Sequence, residues 1–271
     1  MNKQVANIAA YRFIDLPDRD ELRQPLRDLC NSLSMKGTIL LAHEGINLFL
    51  SASKESCENF LSTLGEDERF ADLDVKWSYS DEQPFTRMLV RLKNEIITIR
   101  KSEIKPLSYT GPVIESNELK SWYEQKKDFT IIDTRNSYET KFGMFKNAID
   151  LDIRKFTQFE EALSQLPEES KDKPVVMYCT GGVRCEKASV VMLEAGWKEV
   201  YQLNGGILRY IEQTGGAHWD GECFVFDRRV CLDSNLDETE AELCFACREP
   251  LTPEEQESSD YVIGESCSYC I

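Results

Sequence analysis

The chain has 271 residues, of which 41% are hydrophobic and 30% charged, and its formal net charge is −16. That length exceeds one small domain and implies two or three. The acidity excludes indiscriminate nucleic-acid binding, though not a local basic patch, and no apolar run approaches the roughly 20 residues that span a bilayer, so no membrane partner is expected.

Residues 1–12 carry Lys3 and Asn7 and no long apolar core. No secretory signal is expected there, and a cytoplasmic location follows. In a reducing cytoplasm the ten cysteines point to metal binding and catalysis more than to disulfides. Residues 5–13 read as a strand, and Pro17-Asp18 as a turn. Leu22, Leu26, Leu29 and Leu33 then form a helical stripe. Two strands, 38–42 and 46–50, flank His43-Glu44-Gly45 as a hairpin. Ser53 caps a second helix running to about Leu64, and 75–79 is a further strand. This order is that of a ferredoxin-like α+β unit, expected over residues 1–104. Segments 88–92 and 95–99 add extended structure leading out of that unit.

Residues 105–112, bounded by Lys105-Pro106 and Gly111-Pro112, read as a linker. From 113 to 220 short apolar strands (129–133, 175–178, 200–203) alternate with helices (116–125, opened by Ser116 as cap, then 156–165, 187–195 and 206–214). That pattern is a parallel sheet covered on both faces, an α/β domain. Residues 221–271 are acidic and cysteine-rich, with 223–230 as a possible strand. From residue 232 onward eleven acidic residues and Arg248 as the single basic one supply −10 of the −16 charge.

Catalytic groups in such sheets lie beyond the carboxyl ends of the strands. Cys179 does so, at the end of Val175-Val176-Met177-Tyr178 and ahead of Thr180-Gly181-Gly182-Val183-Arg184-Cys185. A thiol between a strand end and a helix start faces backbone N–H groups and the positive end of a helix dipole, which favour the reactive thiolate. Arg184 adds a charge, and residues 180–183 form the walls of an anion bowl. Cys185 is either a resolving thiol or a small buried residue. Two C-x-x-C pairs, Cys244/Cys247 and Cys267/Cys270, stand nineteen residues apart. This is the spacing of a four-thiolate structural zinc site, zinc-ribbon-like, with an iron–sulfur cluster or a disordered thiol-bearing tail as alternatives. No G-x-G-x-x-G loop is present for a flavin or nicotinamide. The two histidines, His43 and His218, fall in different expected domains and make a poor iron triad.

The loop Cys-Thr-Gly-Gly-Val-Arg resembles the active loop of rhodanese domains. Ile132-Asp133-Thr134-Arg135, Gly143-Met144-Phe145-Lys146-Asn147-Ala148 and Leu203-Asn204-Gly205-Gly206 resemble further rhodanese motifs in order, with Met144 where a histidine is usual. The resemblance implies a persulfide-forming cysteine, and its four-residue gap suits sulfur better than phosphate. Asp133 and Arg135 read either as a structural ion pair or as part of the substrate site. The stretch from Lys36-Gly37-Thr38 to His43-Glu44-Gly45-Ile46-Asn47, together with the cysteine loop and Trp219-Asp220-Gly221-Glu222-Cys223, is similar to the bacterial tRNA uridine hydroxylase family nearly end to end. That implies formation of 5-hydroxyuridine at the wobble position of tRNA, with molecular oxygen as co-substrate and His43 as a possible substrate contact. Two rival readings stay open: a sulfurtransferase fed by a small sulfur donor, and a non-catalytic module. Arg87, Arg91, Lys93, Arg100, Lys101 and Lys105, with Arg228 and Arg229, are the cations available for RNA.

Overall fold

The computed structural model describes residues 4–270. Residues 1–3 and 271, at the ends of the outer expected domains, lie outside the described residues.

The first unit is β1 (Val5–Phe13), α1 (Arg19–Ser32), β2 (Lys36–Ala42), β3 (Gly45–Ala52), α2 (Lys54–Leu64), β4 (Lys76–Ser80) and β5 (Met88–Leu92). Its sheet runs β4-β1-β3-β2-β5, antiparallel except for β5, which lies parallel to β2. The first six elements are the ferredoxin-like arrangement. Strand alternation decides its faces. Ala6, Ile8 and Ala10 of β1 pack with Leu26, Cys30 and Phe60 from the two helices. Ala9 and Tyr11 point to the opposite face, which carries no helix of this unit. Segment 95–99 does not extend the sheet. The Glu95 carboxylate accepts the N–H groups of Ile99 and Arg100, both at 3.0 Å, and turns the chain away.

The second unit is β6 (Val113–Ile114), α3 (Ser116–Glu124), β7 (Thr130–Asp133), α4 (Ser137–Thr140), β8 (Gly143–Phe145), β9 (Ile149–Asp150), α5 (Phe159–Leu163), β10 (Val175–Tyr178), α6 (Val183–Glu194), β11 (Val200–Leu203) and α7 (Gly206–Thr214). The sheet is all parallel, in the order β6-β11-β10-β7-β9, with β10 in the middle. Val175 and Met177 pack towards α5 and α6, and Val176 and Tyr178 towards α3 and α7. Ser116 is not the cap of α3 but its first residue, with Glu115 at the cap and the Ser116 hydroxyl buried. The expected helix over 156–165 is a 3-10 turn at Phe156–Gln158 followed by the short α5. The 105–112 segment is pinned to the second unit. Gly111 N–H donates to Ser189 Oγ at 3.0 Å, and a Cβ there would meet the Val200 carbonyl oxygen at 2.9 Å.

The remainder is β12 (Trp219–Gly221), paired with β8, then β13 (Cys223–Phe224), β14 (Cys231–Leu232), β15 (Glu242–Leu243), β16 (Pro250–Leu251) and α8 (Pro253–Gln256). Residue 221, the expected start of the last module, thus falls inside β12. Segment 223–230 is not one strand. It folds back as a hairpin through Val225 N–H to Val230 O at 2.8 Å, with Asp227 and Arg229 paired in the turn. No helix among the described residues is long and apolar enough to cross a membrane.

Candidate active site

Cys179 follows the central strand β10 and is 1% exposed. The loop after it is held from below by α7. Ile207 N–H donates to Cys179 O at 3.0 Å and Leu208 N–H to Thr180 O at 3.1 Å. With these carbonyls turned towards α7, the N–H groups of the loop turn to the sulfur, and Gly182 N–H reaches Cys179 Sγ at 3.1 Å. Two glycines make this possible. Gly206, at φ +67°, would bring a Cβ within 2.4 Å of Cys179 O, and Gly182 has φ +99° with the Tyr11 hydroxyl 2.9 Å from its missing Cβ. Gly181 faces open space. Val183 opens α6 and packs on Ala42 and Ile96 of the first unit.

Burial works to raise the Cys179 pKa. The Cys185 thiol, the Arg184 guanidinium and the N–H groups of Arg184 and Gly182 outweigh it and lower the value from 9.0 to about 5. Cys185 goes the other way, raised by burial and by the neighbouring Cys179 sulfur. One proton is thus held on Cys185 and the negative charge sits on Cys179. Iodoacetamide should label Cys179 at a rate that climbs through about pH 5 and is level between pH 7 and 9, because the thiolate population saturates above the pKa. Peptide mass spectrometry across pH should find Cys185 unlabelled over the same range.

Arg184 does not reach into the bowl as a free cation. Glu139 of α4, 0% exposed, takes it in a bidentate pair at 2.5 and 2.8 Å. Thr180 Oγ1 donates to the same carboxylate at 3.5 Å, and Asn136 N–H at 3.1 Å. The capping box Asn136-x-x-Glu139 is a signal readable in the sequence, and it marks Glu139 as a residue the sequence pattern could have brought forward. Glu139→Ala would strand a buried guanidinium, and a destabilisation of about 3–5 kcal/mol in urea unfolding is expected.

Over the bowl lies a cavity of about 390 Å³. Its floor is Cys179, Thr180, Gly181, Val183 and Arg184. Its roof is the helix-free face of the first sheet. Ala9, Tyr11, Asn47, Phe49 and Lys76 sit there in register, with Tyr11 opposite Asn47 and Ala9 opposite both Phe49 and Lys76. None of these stands out in the sequence. Their signal is the alternation of small, aromatic and polar residues on the strand face that α1 and α2 leave bare. Tyr11 donates to Glu186 at 3.1 Å, and the Lys76 ammonium, paired with Asp74 at 2.8 Å, lies 5.0 Å from the Tyr11 ring. Phe226, from the β13–β14 turn, and Tyr138 close one side.

Other sequence candidates lie elsewhere. Arg135 is fully buried, paired with Asp133 at 2.6 Å and donating to Gly143 O, outside the cavity lining. His43 is exposed at the β2–β3 turn and lines a separate cavity of about 800 Å³ with Arg100, Lys101 and Lys105. Arg229 is buried against Asp227. Cys244, Cys247, Cys267 and Cys270 come together with all four sulfurs within 4.8 Å of one another. The separations are 3.6 Å for Cys247–Cys267, 3.8 Å for Cys267–Cys270 and 3.9 Å for Cys244–Cys270. A tetrahedral ion with metal–sulfur bonds of about 2.3 Å sets sulfurs about 3.8 Å apart, so the cluster fits a metal ion.

A cysteine in a glycine-bearing loop beyond the middle strand of a five-stranded parallel sheet defines a rhodanese-like domain, here roofed by an acylphosphatase-like sheet. The model of the rhodanese-like domain matches residues 115–213, and that of the UPF0176 acylphosphatase like domain residues 5–96. A protein of Cupriavidus taiwanensis named tRNA uridine(34) hydroxylase is 47% identical over 273 residues, covering 99% of this chain and 97% of that one. One of the same name from Ralstonia nicotianae is 47% identical over 272 residues, covering 98% and 96%. The rhodanese-like domain of an Anabaena protein, solved in solution, is 25% identical over 41% of this chain and 80% of that one, with a TM-score of 0.35. The chain belongs to the tRNA uridine(34) hydroxylase family.

Proposed function

We propose that this chain hydroxylates the wobble uridine of tRNA to 5-hydroxyuridine, with Cys179 as the reacting thiolate. The observation that carries this reading is the position of Cys179. It lies on the floor of a cavity whose roof belongs to another domain, and whose size falls within the roughly 300–1,000 Å³ of small-molecule sites. A base must leave its stack to react there, and anticodon-loop bases are the ones that splay out. The Tyr11, Phe49 and Phe226 rings give such a base apolar surface, and Asn47 and Thr38 give polar contacts. The thiolate adds to C6 of uracil, forming an S–C6 bond while the C5=C6 electron pair moves towards C5 and O4. C5 becomes the electron-rich carbon that meets the oxygen species, and loss of the C5 proton with expulsion of the thiolate restores the ring. Molecular oxygen enters as co-substrate through the family resemblance, and the oxygen atom not transferred leaves as water with two electrons from a thiol-class reductant. In this reading the four C-terminal cysteines hold a structural zinc ion, and the protein works in the cytoplasm where tRNA is modified.

The second reading is a sulfurtransferase that takes sulfane sulfur from a small donor onto Cys179. The Gly182 N–H on Sγ favours a persulfide anion as it favours a thiolate. It leaves the roof residues without a task. The two are separated by assaying thiosulfate:cyanide sulfur transfer beside hydroxylation of tRNA. The proposal expects hydroxylation that depends on Cys179, and robust sulfur transfer with unmodified tRNA would sink it.

A further inference from the structure

We infer that the groove opening beside the cavity is the track of the RNA strand that carries the target uridine, a proposal that rests on the tRNA reading above. The groove encloses about 590 Å³ and joins all three parts of the chain. Pro84, Phe85 and Thr86 come from the first unit, Tyr138, Arg154 and Lys155 from the second, and Leu243, Arg248 and Pro250 from the four-cysteine module. Three rings, those of Phe85, Tyr138 and Phe226, line both the groove and the Cys179 cavity, so the two spaces lie side by side and share a wall.

Its charge is opposite to that of the molecule. In a chain of net charge −16, and with a last module carrying most of that acidity, the groove presents Arg154, Lys155, Arg228 and Arg248, all exposed. The two carboxylates in it are spoken for. Asp227 is held by Arg229 at 2.5 Å, and Glu249 by Arg154 at 3.2 Å. Among the described residues no carboxylate pairs with Lys155, Arg228 or Arg248. Phe226 is 45% exposed at the junction and is held by Phe224 at 5.2 Å, Phe49 at 6.2 Å and the Arg184 guanidinium at 5.8 Å. Cations that follow a backbone beside exposed rings are the pattern of single-stranded RNA recognition. The phosphates flanking the flipped base lie on Lys155, Arg228 and Arg248, and a neighbouring base stacks on Phe226. The cations near the end of the first unit do not share this opening. Arg100, Lys101 and Lys105 face the His43 cavity.

The test uses the full chain and a 17-nucleotide anticodon stem-loop with uridine at the target position, followed by filter binding and by nucleoside mass spectrometry. Lys155→Glu/Arg228→Glu should weaken binding at least about tenfold and lower the salt slope by roughly 0.7 for each phosphate left without its cation. Phe226→Ala should weaken it less and leave the slope unchanged. Lys173→Glu, near the amino end of β10 and paired with Asp128, also turns a cation into a carboxylate and should stay within twofold. Thermal midpoints of the charge variants should match the parent, since Lys155, Arg228 and Lys173 are exposed. If the parent binds and hydroxylates the stem-loop while the double variant stays within twofold of it, the groove is wrong and the function stands. If the parent neither binds nor modifies the stem-loop, the tRNA reading fails and takes the groove with it.

Discussion

Cys179→Ser should fold normally and lose hydroxylation by about 10³-fold or more under single-turnover conditions, the scale seen when a covalent nucleophile is removed. Serine keeps the size of the side chain, and the loop hydrogen bonds from Ile207 and Leu208 go to backbone carbonyls, so the bowl should survive. What disappears is the anion. A hydroxyl does not ionise at neutral pH even with Gly182 N–H and Arg184 beside it. RNA affinity should be unchanged, which separates loss of chemistry from loss of binding. The parent should form a denaturant-resistant complex with stem-loop RNA carrying 5-fluorouridine at the target position, and the serine variant should not. A serine variant that hydroxylates within tenfold of the parent would remove Cys179 from the reaction.

If the four cysteines hold the zinc ion proposed above, stripping it should produce the second large effect. The four-cysteine module buries Cys244, Leu251 and Cys267 as its own cluster, with Tyr261 half-buried against them. That is far too little apolar surface to offset chain entropy. Four-thiolate zinc sites supply about 10–16 kcal/mol, comparable with the whole stability of a domain. A strong chelator, or Cys244→Ser/Cys247→Ser, should therefore unfold the module while leaving the parallel sheet intact. Hydrogen exchange should show reduced protection in β15, β16 and α8 and unchanged protection in β10. Metal analysis of the parent should find one zinc per chain. Because Leu243, Arg248 and Pro250 form a wall of the groove, RNA affinity should fall with the module. Full protection in metal-free protein would refute the structural role.

Much of the fold is legible in the sequence because its signals are local. The leucine stripe of α1, the Ser53 cap, whose Oγ accepts Ser56 N–H at 3.1 Å, and the apolar run of β10 each declare themselves within a dozen residues. The cysteine bowl is equally plain, since a strand end, two glycines and an arginine are contiguous. The rest depends on what faces what. Arg184 reads as the bowl's cation, yet Glu139, forty-five positions earlier, neutralises it. The lowered pKa of Cys179 therefore draws on the Cys185 thiol and on backbone N–H groups as well as on that guanidinium. Tyr11 and Lys76 escape notice because β1 and β4 look like ordinary strands until the second domain covers their bare face. His43 draws attention by its rarity, and the turn that carries it opens on a different cavity. Short two-residue strands such as β13 and β14 carry no periodicity at all, and the expectation of one strand over 223–230 fails for that reason.

The most direct measurement is nucleoside mass spectrometry of tRNA from cells lacking this chain, complemented either with the parent or with Cys179→Ser. The parent should restore 5-hydroxyuridine and its derivatives at the wobble position above the level of the uncomplemented cells, and Cys179→Ser should leave them at that level. Equal nucleoside profiles for parent, variant and uncomplemented cells would contradict the assignment.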